Sequence, residues 1–276
     1  MKLIPLGTNG FFSFNNRYTA SYLLLINDFT ALILDAGTGF ARLLDPAVQQ
    51  LLVGKELFVI LSHFHLDHMV GLSFLTGVLP DRDVTVYAPG PPLVQAAPTE
   101  ALAGLLNPPL YSLKLDVLPL QIRSITKDFR INNIEIRVRA QKHPGGSIGI
   151  RIGNFVAYIT DTIADRETIP FVKGVDVLLH EVWLTDREAM EAREADGVFA
   201  REKHSWAGAV AEIASEAGVK ALAPIHHPPW RSEKEIFNLI SNLPGTFTPL
   251  VLKEGQVYDL AFFQQTGKGS NQYLYG

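Results

Sequence analysis

Hydrophobic residues crowd the first third of the chain into short unbroken runs. "KLIPL", "YTASYLLLI", "ALILDAG" and "LFVILSH" are rich in β-branched and large apolar side chains, and Asn or Gly punctuates them. Runs of that length between turn residues predict β-strands. The period then lengthens, and "DHMVGLSFLTGVL" predicts a helix. Residues 88 to 111 are rich in Pro and Ala and predict a loop with one helix. A second group of strands follows in "IEIRVRAQ", "IGIRIG" and "FVAYIT", the last two joined as a hairpin through Gly153 and Asn154. The final third alternates: strand "VDVLLHE", helices "DREAMEAREA" and "WAGAVAEIASEAG", strand "KALAPIHH", helix "EKEIFNLISNL". Ser232 and Glu235 predict a capping box at the start of that last helix. Pattern alone supports an α/β or α+β class and no more.

Composition sharpens this mainly by exclusion. At 276 residues the chain suits one large domain better than two small ones. Residues 1–265 are expected to form it, with 266–276 as a weakly ordered tail. The chain is 47% hydrophobic and 19% charged, as a globular protein with a sizeable core should be. A net charge of −4 leaves no global basic footprint for nucleic acid. Arg137, Arg139 and Lys142 alternate with apolar residues in "IEIRVRAQKH" and predict a solvated strand face. Cysteine is absent, which excludes disulfides, thiolate metal sites and cysteine nucleophiles and is compatible with a reducing compartment. No apolar run approaches the ~20 residues of a membrane span, and the N-terminal run is too short for a signal peptide. A soluble cytoplasmic protein with no membrane partner is the expectation.

Candidate chemistry concentrates in the histidines. Residues 61 to 71, "LSHFHLDHMVG", hold His63, His65, Asp67 and His68 between apolar flanks. His143, His180, His204, His226 and His227 also fall at predicted strand ends or helix starts. Those edges are where α/β proteins carry their chemistry. His63 and His65 are two residues apart, and extended backbone turns both imidazoles to one side. Asp67 and His68 follow at the turn into the next helix. Four nitrogen and oxygen donors so close suit zinc or a similar divalent metal, as one ion or two. The bland alternative is a hydrogen-bonded core cluster, which would suit one lone histidine but is disfavoured for the pattern H-x-H-x-D-H after an apolar strand. With no cysteine, an open catalytic site is favoured over a closed structural one.

"HFHLDH" resembles the H-x-H-x-D-H signature of the metallo-β-lactamase fold hydrolases. The resemblance runs along nearly the whole chain, through Asp35 in "ALILDAGTG", His143 in "QKHPGG", Asp161 in "YITDT" and a last histidine in "APIHHPP". It implies an αββα sandwich of two mixed sheets flanked by helices. "DVLLHEVW", "KHSWAGAVAEIASEAGVKALAPIHH", "LGTNGFFSFNNRYTASYLL" and "NPPLYSL" are similar to segments of the ribonuclease Z-like phosphodiesterase branch.

Carried over by position, the resemblance implies two divalent metal ions, zinc first, with manganese or iron as alternatives. His63, His65 and His143 would hold one ion and Asp67, His68 and His226 the other, with Asp161 and a hydroxide bridging. His226 is preferred to His227 because family members with a doubled histidine ligate through the first. His204 would protonate the leaving group or contact the phosphate, Glu181 would orient it, and Asp67 would serve catalysis as well as the metal. Asp35 would support the ligands from behind. Trp183, Trp206 and Trp230 each follow a motif histidine closely and, with His227, are candidates for a substrate wall, with core packing as the alternative for the tryptophans.

Two departures bear on the substrate. Ribonuclease Z inserts its transfer-RNA-gripping arm between the lone histidine and the bridging aspartate, but here only residues 144 to 160 separate His143 from Asp161. "HHPPW" also departs from the S-x-R-Y that follows the last ligand in ribonuclease Z. The expected partner is therefore a small or cyclic nucleotide-like phosphodiester, with transfer RNA doubtful. A homodimer is expected by analogy only. The competing readings are a carboxylic ester or lactone hydrolase, a ribonuclease Z-type endonuclease, and a metal-free binding scaffold.

Overall fold

The computed structural model describes residues 1–80, 82–194 and 204–265. The expected C-terminal tail lies outside the described residues, as does Ala195, the last residue of the helix predicted over "DREAMEAREA".

The strands in chain order are β1 (Lys2–Gly7), β2 (Ser21–Leu25), β3 (Thr30–Leu34), β4 (Glu56–Ile60), β5 (Val84–Pro89), β6 (Leu120–Ile125) and β7 (Phe129–Ile131). They continue with β8 (Ile134–Gln141), β9 (Ser147–Ile152), β10 (Val156–Ile159), β11 (Val177–Glu181), β12 (Ala221–Ile225), β13 (Thr248–Pro249) and β14 (Tyr258–Asp259). Two seven-stranded sheets result, in the orders β14-β1-β2-β3-β4-β5-β6 and β13-β12-β11-β10-β9-β8-β7. Each is mixed. β3 to β6 run parallel in the first sheet and β10 to β13 in the second, and the remaining pairs are antiparallel.

The alternation of side chains sorts the core into layers. Leu24, Leu32, Leu34 and Ile60 of the first sheet meet Ile148, Ile150, Leu179 and Ala223 of the second. The outer face of the first sheet, with Leu23, Ile33, Val59 and Val86, packs on Phe40, Leu43, Leu72 and Leu75 from the helical turns. The outer face of the second, with Ala157, Ile159, Leu178 and Leu222, is covered by Val210, Ala211 and Ala214 of the helix Ala207–Glu216. The central strands of both sheets are thus buried on both faces, which is why they read as continuous apolar runs, while β6, β7 and β8 stay partly exposed. The four layers are the αββα sandwich that the motifs implied.

Two expectations are corrected. The helix predicted over "DHMVGLSFLTGVL" is broken into Leu66–Met69, a 3-10 segment Val70–Phe74, and Leu75–Val78. Its backbone groups are diverted: Ala36 N–H donates to His68 O (2.8 Å) and Gly71 N–H to Ala36 O (2.7 Å). A Cβ on Gly71 would collide with the carbonyls of Gly37 and Ala36, so the close approach requires glycine. Strands β5 and β6 were not expected. β5 runs into the Pro-rich stretch, and β6 is a half-exposed sheet edge carrying Arg123.

The topology places the carboxyl ends of parallel strands from both sheets at one edge, the usual ligand position in α/β sheets. Asp35 follows β3, His63 follows β4, Asp161 follows β10, Glu181 ends β11 and His226 follows β12.

Candidate metal centre

Two donor groups form at this edge. His63, His65, His143 and Asp161 bring one ligand atom each within 4.8 Å of one another, and so do Asp67, His68 and His226. A further overlapping group joins Asp161, Glu181, His204 and His226. Asp161 is the link between the first two. Its Oδ1 lies 3.3 Å from His143 Nε2 and 4.0 Å from His63 Nε2. Its Oδ2 lies 3.0 Å from His68 Nε2 and 3.1 Å from His226 Nε2. Asp67 Oδ2 completes the second group, 3.4 Å from His68 Nε2 and 3.3 Å from His226 Nε2.

The hydrogen bonds behind these groups decide which nitrogens face the centre. Asp35 is fully buried and accepts from Ser62 N–H (2.6 Å), Ser62 Oγ–H (2.7 Å), Tyr158 O–H (2.7 Å) and His68 Nδ1–H (2.7 Å). His68 therefore turns Nε2 inward, where it stands 3.2 Å from His226 Nε2. Ser62 spends its only hydroxyl proton on Asp35, so its oxygen accepts from His63 Nδ1–H at 2.9 Å. That leaves His63 Nε2 unprotonated, buried and without a hydrogen-bond partner. Buried polar groups are normally satisfied. Inward-turned imidazole nitrogens crowded around carboxylates are satisfied by cations, and an N/O donor set without thiolate fits zinc, manganese or iron. The residues present thus fit the metals that the motifs imply.

Strain supports the same edge. Asp35, Asp161 and His226 all adopt left-handed backbone, with φ of 57°, 47° and 54°. Such residues persist only where their surroundings hold them, and they cluster at functional sites. Gly10 lets the N-terminal loop close against the ring of His226, where a Cβ would collide.

The electrostatics follow from burial and from the carboxylates. Burial pushes His63 well below the usual histidine range, and His65 and His143 are lowered for the same leading reason. Burial acts in the same sense on His68 and His226, but Asp161 and Asp67 outweigh it. They raise His68 well above its usual value and His226 to about 10. Burial would raise Asp67 and Asp161, yet the neighbouring histidines hold both well below the carboxylate range. The protons favoured on His68 and His226 sit at the positions a metal would take.

Beside the centre stands a second arrangement. His204 Nδ1 lies 3.0 Å from Glu181 Oε2, and the other carboxylate oxygen accepts from Thr162 N–H (3.0 Å) and Ser205 N–H (3.0 Å). Burial opposes ionisation of Glu181, but the charge and hydrogen bond of His204 bring it down to about 2. The same Oε2 is 3.4 Å from His226 Nδ1. Trp183 stacks on His204 with ring centroids 4.6 Å apart and planes at 17°.

The remaining sequence candidates separate. Trp230 is 59% exposed and meets the largely buried Trp183 edge-on at 5.6 Å. Trp206 is half-buried against Trp183, Leu184 and Ala189. His227 is 3% exposed and lines a different cavity. His180, assigned no role, is fully buried. Sequence reasoning missed the backbone N–H of Phe11, which donates to Asp67 Oδ2 at 2.7 Å, and missed Ser62 and Tyr158 on Asp35. The segment "LGTNGFF" was visible as a resemblance, but a main-chain donor carries no residue-type signal.

The sequence matches the family described as Beta-lactamase superfamily domain over residues 30–227. It is 24% identical over 253 residues to an uncharacterized protein of Mycobacterium tuberculosis, covering 86% of this chain and 85% of that one. It is 25% identical over 278 residues to a protein of Methanosarcina mazei named ribonuclease Z, covering 82% and 87%. The metallo-β-lactamase fold protein YhfI of Bacillus subtilis superposes with a TM-score of 0.70 at 20% identity, over 94% of this chain and 99% of that one. Sheet order, donor groups and family match agree: the chain belongs to the beta-lactamase superfamily and is a hydrolase of the metallo-β-lactamase fold.

Proposed function

We propose that the protein is a dinuclear metal-dependent phosphodiesterase acting on a small or cyclic nucleotide-like phosphodiester. The observation that carries the reading is the Asp161 carboxylate, turned with one oxygen to each donor group beside the His204–Glu181 pair. His63, His65 and His143 would hold one ion and Asp67, His68 and His226 the other, with Asp161 shared. Two divalent ions there, zinc or alternatively manganese or iron, would activate water and neutralise charge on the phosphoryl oxygens.

The residues themselves supply orientation and a proton. Glu181 accepts a hydrogen bond from His204 Nδ1–H and leaves Nε2 as the nitrogen that delivers a proton to the leaving alkoxide. The Phe11 N–H fixes the Asp67 carboxylate. Exposed rings of Phe11 and Trp230 stand near the centre, and flat faces of that kind suit a nucleobase. The relative named ribonuclease Z supports a phosphodiester over a carboxylic ester. Residues 144 to 160 are taken up by a turn, β9 and β10, so no arm extends there toward a large RNA. Hydrolysis of bis-p-nitrophenyl phosphate without hydrolysis of lactones is the expected result. Lactone hydrolysis without phosphodiester hydrolysis would sink the reading.

A further inference from the structure

Outside the metal centre, segments from both ends of the chain enclose a cavity of about 540 Å³, within the range of small-molecule sites. None of the seven candidate metal ligands lines it. Its body is apolar, with Ile236, Leu250, Leu252 and Tyr258 in the wall. Its charge is not balanced: Arg17, Arg42, Lys234 and Lys253 line it against Glu233 and Glu254.

Arg17 is the anomaly. It is 7% exposed, and among the described residues no carboxylate reaches it at ion-pair distance. The neighbouring guanidinium groups differ, since Arg42 pairs with Glu254 at 3.1 Å and Arg231 with Glu188 at 2.6 Å. Arg17 Nε donates to Asn9 Oδ1 (2.7 Å), and Nη2 donates to the carbonyls of Arg231 (2.5 Å) and Pro229 (3.3 Å). Nη1 has no partner, and neither have Nε of Arg42 and Nδ1 of His227 in the same wall. Glu254 stands close enough for its charge to favour the Arg17 cation but not to pair with it, and its oxygens already accept from the Thr8 and Tyr18 N–H groups and from Arg42. Buried charges are normally paired, and an orphaned buried donor is destabilising.

We propose that this cavity is a second ligand site that takes a small amphipathic anion. Its carboxylate or phosphate-type group pairs with Arg17, and its apolar body lies against Leu250, Leu252 and Ile236. The site does not depend on the phosphodiesterase reading. It does share a wall with the metal centre, because His227 lines the cavity and the preceding residue is His226.

Calorimetric titration of the metal-loaded protein with 4-phenylbutanoate and with phenylphosphonate tests this, and the tighter probe identifies the anion type. At least one should bind, Arg17→Gln should weaken it by about tenfold or more, and Leu252→Trp, which fills the cavity, should abolish it. If Arg17→Gln does not fold, Leu252→Trp decides alone. Failure of both probes, unchanged binding to Arg17→Gln, or binding that survives Leu252→Trp and so belongs to the metal centre overturns the proposal.

Discussion

At the scale of single residues, the centre rests on groups that hold the candidate metal ligands from behind. Asp35 fixes Ser62, Tyr158 and His68 at once, so Asp35→Ala should strand three buried partners. A loss of about 3–5 kcal/mol in denaturant unfolding is expected, together with about 10–100-fold weaker metal retention in chelator competition. His204→Ala should leave metal content intact and lower kcat about 10²–10⁴-fold on diesters with alkoxide leaving groups. On p-nitrophenyl esters the loss should be much smaller, because that leaving group departs without a proton. An equal loss on both would remove His204 from the proton-delivery role. The clustered ligands were legible because spacing and residue type carry their signal. Arg17, Ser62 and the Phe11 N–H were not, because their roles come from partners up to 214 residues away.

At the scale of elements, runs buried on both faces read clearly, as in β2 and β3, and the half-exposed β8 occupies the eight residues that its alternation predicted. Periodicity failed where backbone hydrogen bonds left their own element, as at Gly71, and where an edge strand lacked an apolar face, as in β6. Alternation along β11 puts His180 on the same face as Leu178, under the outer helices. Burial lowers its pKa to about 4, and its Nε2 has no partner. The folded value lies below the ordinary 6.5, so the unfolded chain binds more protons between those limits. Stability from this group is therefore complete above about pH 6.5 and falls toward pH 4, by about 1.4 kcal/mol per pH unit. Denaturation at several pH values should show a slope shallower by about that amount in His180→Leu than in the wild type. Equal slopes would contradict the assignment.

At the scale of the molecule, the sandwich brings the two halves of the chain to one edge, His63 to His68 from one sheet and His143, Asp161 and His226 from the other. Pattern alone stopped at a mixed α and β class. The αββα layering became legible only through the motif, because sheet pairing between residues far apart leaves no periodic trace. The metal-free scaffold reading and the dinuclear reading differ most simply in stoichiometry. Metal analysis by mass spectrometry of the purified protein, reconstituted with zinc, manganese or iron, tests the central claim. About two equivalents per chain are expected, falling to about one, with most activity lost, in Asp67→Ala. Fewer than about one equivalent in the reconstituted wild type, or full turnover in Asp67→Ala, would contradict it.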